Sequence, residues 1–135
     1  MANYEQVART NPFRVRDEAA FKADVLDRFC IEHWTKTVGG VVHHCLSADP
    51  NEGFWPNAPQ DQDDAEDADV DFFDLVASHL AEDSIVVFMA CGHEKLRYLS
   101  GSAFALNHKG EFARVALSDI YELARQKFGA TPLSI

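Results

Sequence analysis

Carboxylates make the strongest chemical statement in this 135-residue chain. From Thr37 to Glu94 there is no lysine or arginine, yet 13 aspartates and glutamates fall in that stretch. The first 36 residues balance at 6 acidic and 6 basic, and residues 95–135 carry 3 acidic and 6 basic. The net charge of −10 is therefore 0 − 13 + 3. Eight acids crowd into one short run: Asp61, Asp63, Asp64, Glu66, Asp67, Asp69, Asp71 and Asp74. Such a surface attracts cationic partners over about 8 Å at physiological salt and repels nucleic-acid phosphate and anionic lipid. Direct binding to nucleic acid or to a membrane is disfavoured.

Three kinds of chemistry fit an acidic run. A calcium loop of the EF-hand type needs oxygen ligands at positions 1, 3, 5 and 12 and glycine at 6. A frame starting at Asp61 puts Ala65 at 5 and Phe72 at 12, and one starting at Asp67 puts Phe72 at 6 and Ser78 at 12, so both fail. Imitation of duplex DNA needs a charge every ~1.7 Å. The run gives one per ~6 Å if extended and one per ~2.6 Å if helical, so imitation needs Glu52, Glu82 and Asp83 as well. Binding a basic protein surface asks for less. Glu52, Phe54 and Trp55 sharpen that reading, because aromatic side chains beside charge anchor interfaces. Against it stand two plainer readings: a solvated loop that keeps the protein soluble, and a loop that folds back to bury its aromatics.

Cys30, His33, His43, His44, Cys45, Cys91 and His93 are the other reactive side chains. A closed zinc site needs four ligands, usually with a Cys-x2–4-Cys or His-x3–5-His pair. Only Cys30-x2-His33 and Cys91-x-His93 are closely spaced, although residues two apart on a strand share a face, as Cys91 with His93 or His43 with Cys45 would. A Cys–His nucleophilic pair has no flanking signature, and no phosphate-binding or hydrolase motif is present. Core cysteines and strand-end histidines are the expectation. No metal, cofactor or catalytic residue is expected.

The elements that must position these groups follow from local patterns. Residues 1–12 read as an irregular lead-in and Phe13-Arg14-Val15 as a short strand. Asp17 caps a helix to about Phe29, with Phe21, Val25 and Phe29 on one stripe. Cys30–Val38 and Val41–Ala48 read as strands joined by Gly39-Gly40, a hairpin signal. A long acidic loop spans Asp49–Asp69. Asp69 or Asp71 then caps a helix to about Leu80, and Ser84–Cys91 reads as a central strand buried on both faces. Arg97–Asn107 and Glu111–Leu117 follow as strands around an Asn107–Gly110 turn. Ser118 caps a last helix that Gly129 stops. The order is β-α-β-β-α-β-β-β-α. That is one α+β domain: an antiparallel sheet of about five to six strands with helices packed on one face.

With 47% hydrophobic residues and 10 phenylalanines the chain has material for a core, so global disorder is not expected. Three cysteines without a dense spacing pattern, no apolar run of membrane-spanning length and no signal-like N-terminus point to a cytoplasmic protein.

Val86-Val87-Phe88-Met89, Glu94-Lys95-Leu96-Arg97-Tyr98-Leu99-Ser100-Gly101 and Val115-Ala116-Leu117-Ser118-Asp119-Ile120-Tyr121 make the second half resemble small proteins of phage and plasmid origin. That resemblance implies small acidic inhibitors of the anti-CRISPR, anti-restriction or nuclease-immunity type, and it assigns no residue a role. The resulting expectation is a non-enzymatic inhibitor whose acidic surface occupies a basic, nucleic-acid-binding groove on a target protein. A small Cys/His metal protein or enzyme, and an interaction domain with the acids as solubiliser, are the alternatives.

Overall fold

In the computed structural model, the described residues are 4–49, 53–56, 71–94 and 98–133. They form one six-stranded antiparallel sheet with three helices, an α+β architecture. The strands are β1 (Tyr4–Thr10), β2 (Ile31–Val38), β3 (Val41–Ala48), β4 (Val86–Glu94), β5 (Tyr98–Leu106) and β6 (Phe112–Ala116). Their order across the sheet is β2-β3-β1-β4-β5-β6. The helices are α1 (Glu18–Phe21), which runs directly into a π turn over Lys22–Leu26, then α2 (Phe72–Ser78) and α3 (Asp119–Phe128). No described helix is long and apolar enough to cross a membrane.

Local chemistry sets most boundaries. Gly39 and Gly40, at φ 58° and 80°, make the two-residue turn that puts Val38 opposite Val41 in the β2–β3 hairpin. Asp17 accepts from the Ala20 amide at 3.1 Å and starts α1. The helix then widens, with the Asp27 amide reaching the Lys22 carbonyl at 2.9 Å. Gly129 stops α3 in the left-handed region, its amide bonding the Arg125 carbonyl. Ser118 does not act as the expected cap: it is helical and its side chain makes no capping bond, while Asp119 Oδ2 accepts from the Ala116 amide at 2.7 Å.

The expected irregular lead-in is, from Tyr4 onward, a strand at the middle of the sheet. It pairs with β4 over its whole length and touches β3 in register only at Arg9–Ser47. Phe13 and Val15 make isolated bridges, to His44 and Leu80, instead of a strand. The reason is visible in the side chains β1 turns inward. Gln6, Ala8 and Thr10 are polar or small, so the strand carries no alternating apolar signal.

The core lies on one face of the sheet. Phe13, Phe21, Val25, Leu46, Phe72, Val76, Leu80, Val86 and Phe88 are essentially inaccessible there. The Phe21, Val25 and Phe29 stripe of the first helical segment and the Phe72, Val76 and Leu80 face of α2 both point into it. On β4, Val86 and Phe88 turn to this side, while Met89, Cys91 and His93 on the alternate face are exposed. The strand expected to be buried on both faces is central in position but covered on one side only. α3 has no buried residue at all.

A loop residue closes over the core side of β1. Gly53 has φ 74°, and a Cβ there would collide with the Gln6 carbonyl, whereas nothing lies near a Cβ at Gly40. We predict that Gly53→Ala lowers stability by roughly 2–4 kcal/mol, against about 1 kcal/mol for Gly40→Ala, because only the first adds a backbone clash to the strain of positive φ. Urea denaturation midpoints of the two variants decide this, and equal losses would refute it.

Candidate functional site

The described part of the acidic stretch is organised around the start of α2. Trp55 stacks on Phe72 with centroids 5.7 Å apart and meets Phe88 edge-on at 5.2 Å. Phe73 continues the cluster, meeting Phe88 and Phe104 at 4.8 Å each. Such offset and edge-to-face contacts add to the apolar burial of each ring. Gly53 ties the same loop to β1, its carbonyl accepting from Gln6 Nε2 at 3.0 Å. Trp55 is thus half-buried against the core, while Phe54 is half exposed.

Asp71 is the helix cap. Its Oδ1 accepts from the Phe73 amide at 2.9 Å, which satisfies an otherwise unpaired donor and places negative charge at the positive end of the helix. Asp74, one turn on, is exposed. Partial loss of water, repulsion from Asp71 and a hydrogen-bonding contact with it raise the Asp74 carboxyl above the ordinary carboxylate value. The two acids stand at a groove of about 570 Å³ between α2 and strands β5 and β6. Phe73, Phe104 and Phe112 give it aromatic walls, and Arg114 also lines it. Carboxylates over aromatic faces suit a cationic side chain.

Other acids of the Thr37–Glu94 stretch are dispersed. Asp83 is ion-paired with Arg14, Asp49 accepts from the Cys30 thiol at 3.0 Å, and Glu94 sits at the far end of β4. Glu52, Asp61, Asp63, Asp64, Glu66, Asp67 and Asp69, all expected at the interface, lie outside the described residues.

The Cys/His set separates. Cys45 is buried, but Cys30 and Cys91 are exposed, so only one of the cysteines belongs to the core. Cys91 and His93 do share a face, where His93 Nε2 faces Glu5 at 3.5 Å. Among the described residues no group of three His, Cys, Asp or Glu side chains is arranged to hold a metal ion. Another arrangement was not legible in the spacing of these residues. His33 and His44, on neighbouring strands, stack at 5.1 Å with Nε2 of the first 2.9 Å from Nδ1 of the second. One ring must donate and the other accept, so the contact excludes protonation of both. Glu18 lies 3.4 Å from His44 Nε2, within charge reach but without hydrogen-bond geometry. Loss of water, then repulsion from His44, lowers the pKa of His33.

We predict two outcomes from these contacts. Asp71→Ala lowers stability by about 1 kcal/mol, and Asp71→Asn, whose amide oxygen still accepts from Phe73, by clearly less. Chemical denaturation compares them, and equal losses would show that charge rather than capping matters. The second outcome concerns pH. A histidine whose folded value is depressed below its ordinary 6.5 binds protons more readily in the unfolded chain. Its contribution is present above that value and is lost as pH falls toward the folded one. The readout is a difference between the wild type and a variant that lacks this imidazole. Between about pH 7 and pH 5 the wild-type melting temperature should fall more steeply than that of His33→Gln. Parallel curves would contradict this.

No protein-family model matches the chain, and comparisons with curated proteins and with solved structures found no match.

Proposed function

We propose that this protein is a non-enzymatic inhibitor that engages a basic, nucleic-acid-binding surface of another protein through its acidic segment. One observation carries the reading. Trp55 and Phe72, which flank residues 56–71, are stacked at 5.7 Å, so both ends of the most acidic stretch are held at one place on the core.

Supporting features lie beside the clamp. Asp71 and Asp74 extend the acidic zone onto α2, where partial loss of water and then repulsion from Asp71 raise the Asp74 carboxyl. Phe54 offers apolar contact area, and the aromatic groove under Asp74 suits an arginine or lysine from a partner. The ion pair between Asp83 and Arg14 takes one carboxylate out of this surface. Trp55 then serves as the mooring of the segment more than as a contact.

The test is a titration against purified CRISPR surveillance complexes, restriction enzymes and nuclease toxins at increasing salt. Binding to one of these should weaken steadily as salt rises. Replacing Asp61, Asp63, Asp64, Glu66, Asp67 and Asp69 by Asn or Gln should cost roughly tenfold or more in affinity. A partner whose binding survives both changes would remove the proposal.

A further inference from the structure

Among the described residues, none covers the face of the sheet turned away from α1 and α2. Cross-strand partners share a face, so Val7 with Cys91, Met89 with Ala103 and His93 with Leu99 fix which side chains stand on it. Val7 is 68% exposed and Leu99 58%. Leu117, just beyond β6, lies against Gly101 on the same side and is itself exposed. Two apolar depressions of about 480 Å³ each meet at Val7 and Cys91. One runs to Met89 and Trp34, where Arg9 lies over the indole at 5.2 Å, and the other runs to Leu99 and Leu117.

The same chain also carries an uncovered helix. Ile120, Leu123 and Phe128 repeat at helical spacing on α3 and are 60%, 55% and 74% exposed. Isolated helices of this length do not hold together on propensity alone and need an apolar contact. Soluble monomers seldom leave contiguous apolar patches beyond a few hundred Å².

We propose that a second copy of this chain covers this face, the α3 helix of each copy lying in the apolar depression of the other about a two-fold axis. Three considerations select that occupant. The area is right: Val7, Met89, Leu99, Leu117 and the three α3 side chains expose on the order of 100 Å² each, so about 700–800 Å² per copy is on offer. That is what each side of a standard interface buries. Charge is right as well. Each copy carries −10, but the strand positions on this face balance Glu5 and Glu32 against Arg9 and Lys36, so two copies meet through a neutral surface. Finally, the chain supplies both the helix and its socket, which is the self-complementarity that a two-fold contact requires. The inference does not depend on the acidic-segment reading.

Sedimentation equilibrium over a concentration series should give twice the 15.1 kDa protomer mass. Leu99→Glu and Leu123→Glu alter exposed side chains, one in the socket and one on the helix, and each should weaken self-association by roughly tenfold or more. Phe112→Glu, an exposed change on the opposite face, should leave it intact. Circular dichroism checks that each variant is folded. Should one misfold, cross-linking decides: in a Cys30→Ser background, Leu123→Cys treated with a short bis-maleimide should give a covalent dimer through Cys91, lost on Cys91→Ser. A wild-type protein that stays monomeric throughout the series overturns the proposal, whether α3 folds onto its own sheet or another protein takes the face. So does a dimer that survives both glutamate substitutions.

Discussion

Six strands spaced about 4.8 Å apart make a sheet roughly 24 Å wide, with its longest strands running near 30 Å. Against the core face of this sheet the described residues set two short helical segments, the seven residues of α2 and the four of α1 with the five-residue π turn that continues it. Each is little more than 10 Å long. That shortage of cover governs the rest of the molecule. Among the described residues, one face is closed where α1, α2 and the Gly53–Pro56 loop reach, and the other is left bare. Aromatic side chains do much of the closing because few residues are available: Phe72, Phe88 and Trp55 each fill space that a second layer of helix would otherwise occupy.

Features decided by a few neighbouring residues were legible in the sequence. The Gly39-Gly40 turn, the Asp17 and Asp71 caps and the Gly129 stop all act through their own backbone neighbourhood, and each stands where it was expected. What depended on the rest of the chain was not legible. β1 became central because β4 needed a partner, and its inward Gln6, Ala8 and Thr10 fit under a loop that sequence periodicity does not register. β4 is apolar from Val86 to Cys91, which normally means burial on both sides. Here the outward positions Met89 and Cys91 are apolar without a covering layer. Apolar composition indicates that something must cover a strand, not that the same chain does it.

The acidic site was half legible for the same reason. Composition placed the carboxylates correctly along the chain and found the aromatics beside them. It did not distinguish a contact residue from a structural one. Trp55 holds the loop to the core, and Asp71 bonds its own helix amides, so both have local work to do before any partner arrives. The groove formed with Phe73, Phe104, Phe112 and Arg114 was invisible because α2, β5 and β6 meet only in three dimensions.

The two remaining surfaces divide the molecule by face and by physics. Trp55, Phe72, Asp71 and Asp74 belong to the helix-covered side, and Val7, Met89 and Leu99 to the bare one. Electrostatic attraction acts over several ångströms and fades with salt, whereas apolar burial needs contact and strengthens with it. Contacts of the two kinds on opposite faces do not compete for the same area. Two copies joined through their bare faces would keep Asp71 and Asp74 of each turned outward. A basic partner with two suitable sites would then gain from the second contact without any new interface, since its effective concentration is set by the first. Unmatched carboxylates on the apolar face would make self-association costly, because unpaired charges lose their water there. Glu5 and Glu32 share that face with Arg9 and Lys36, so a strongly anionic chain can retain it as a contact surface.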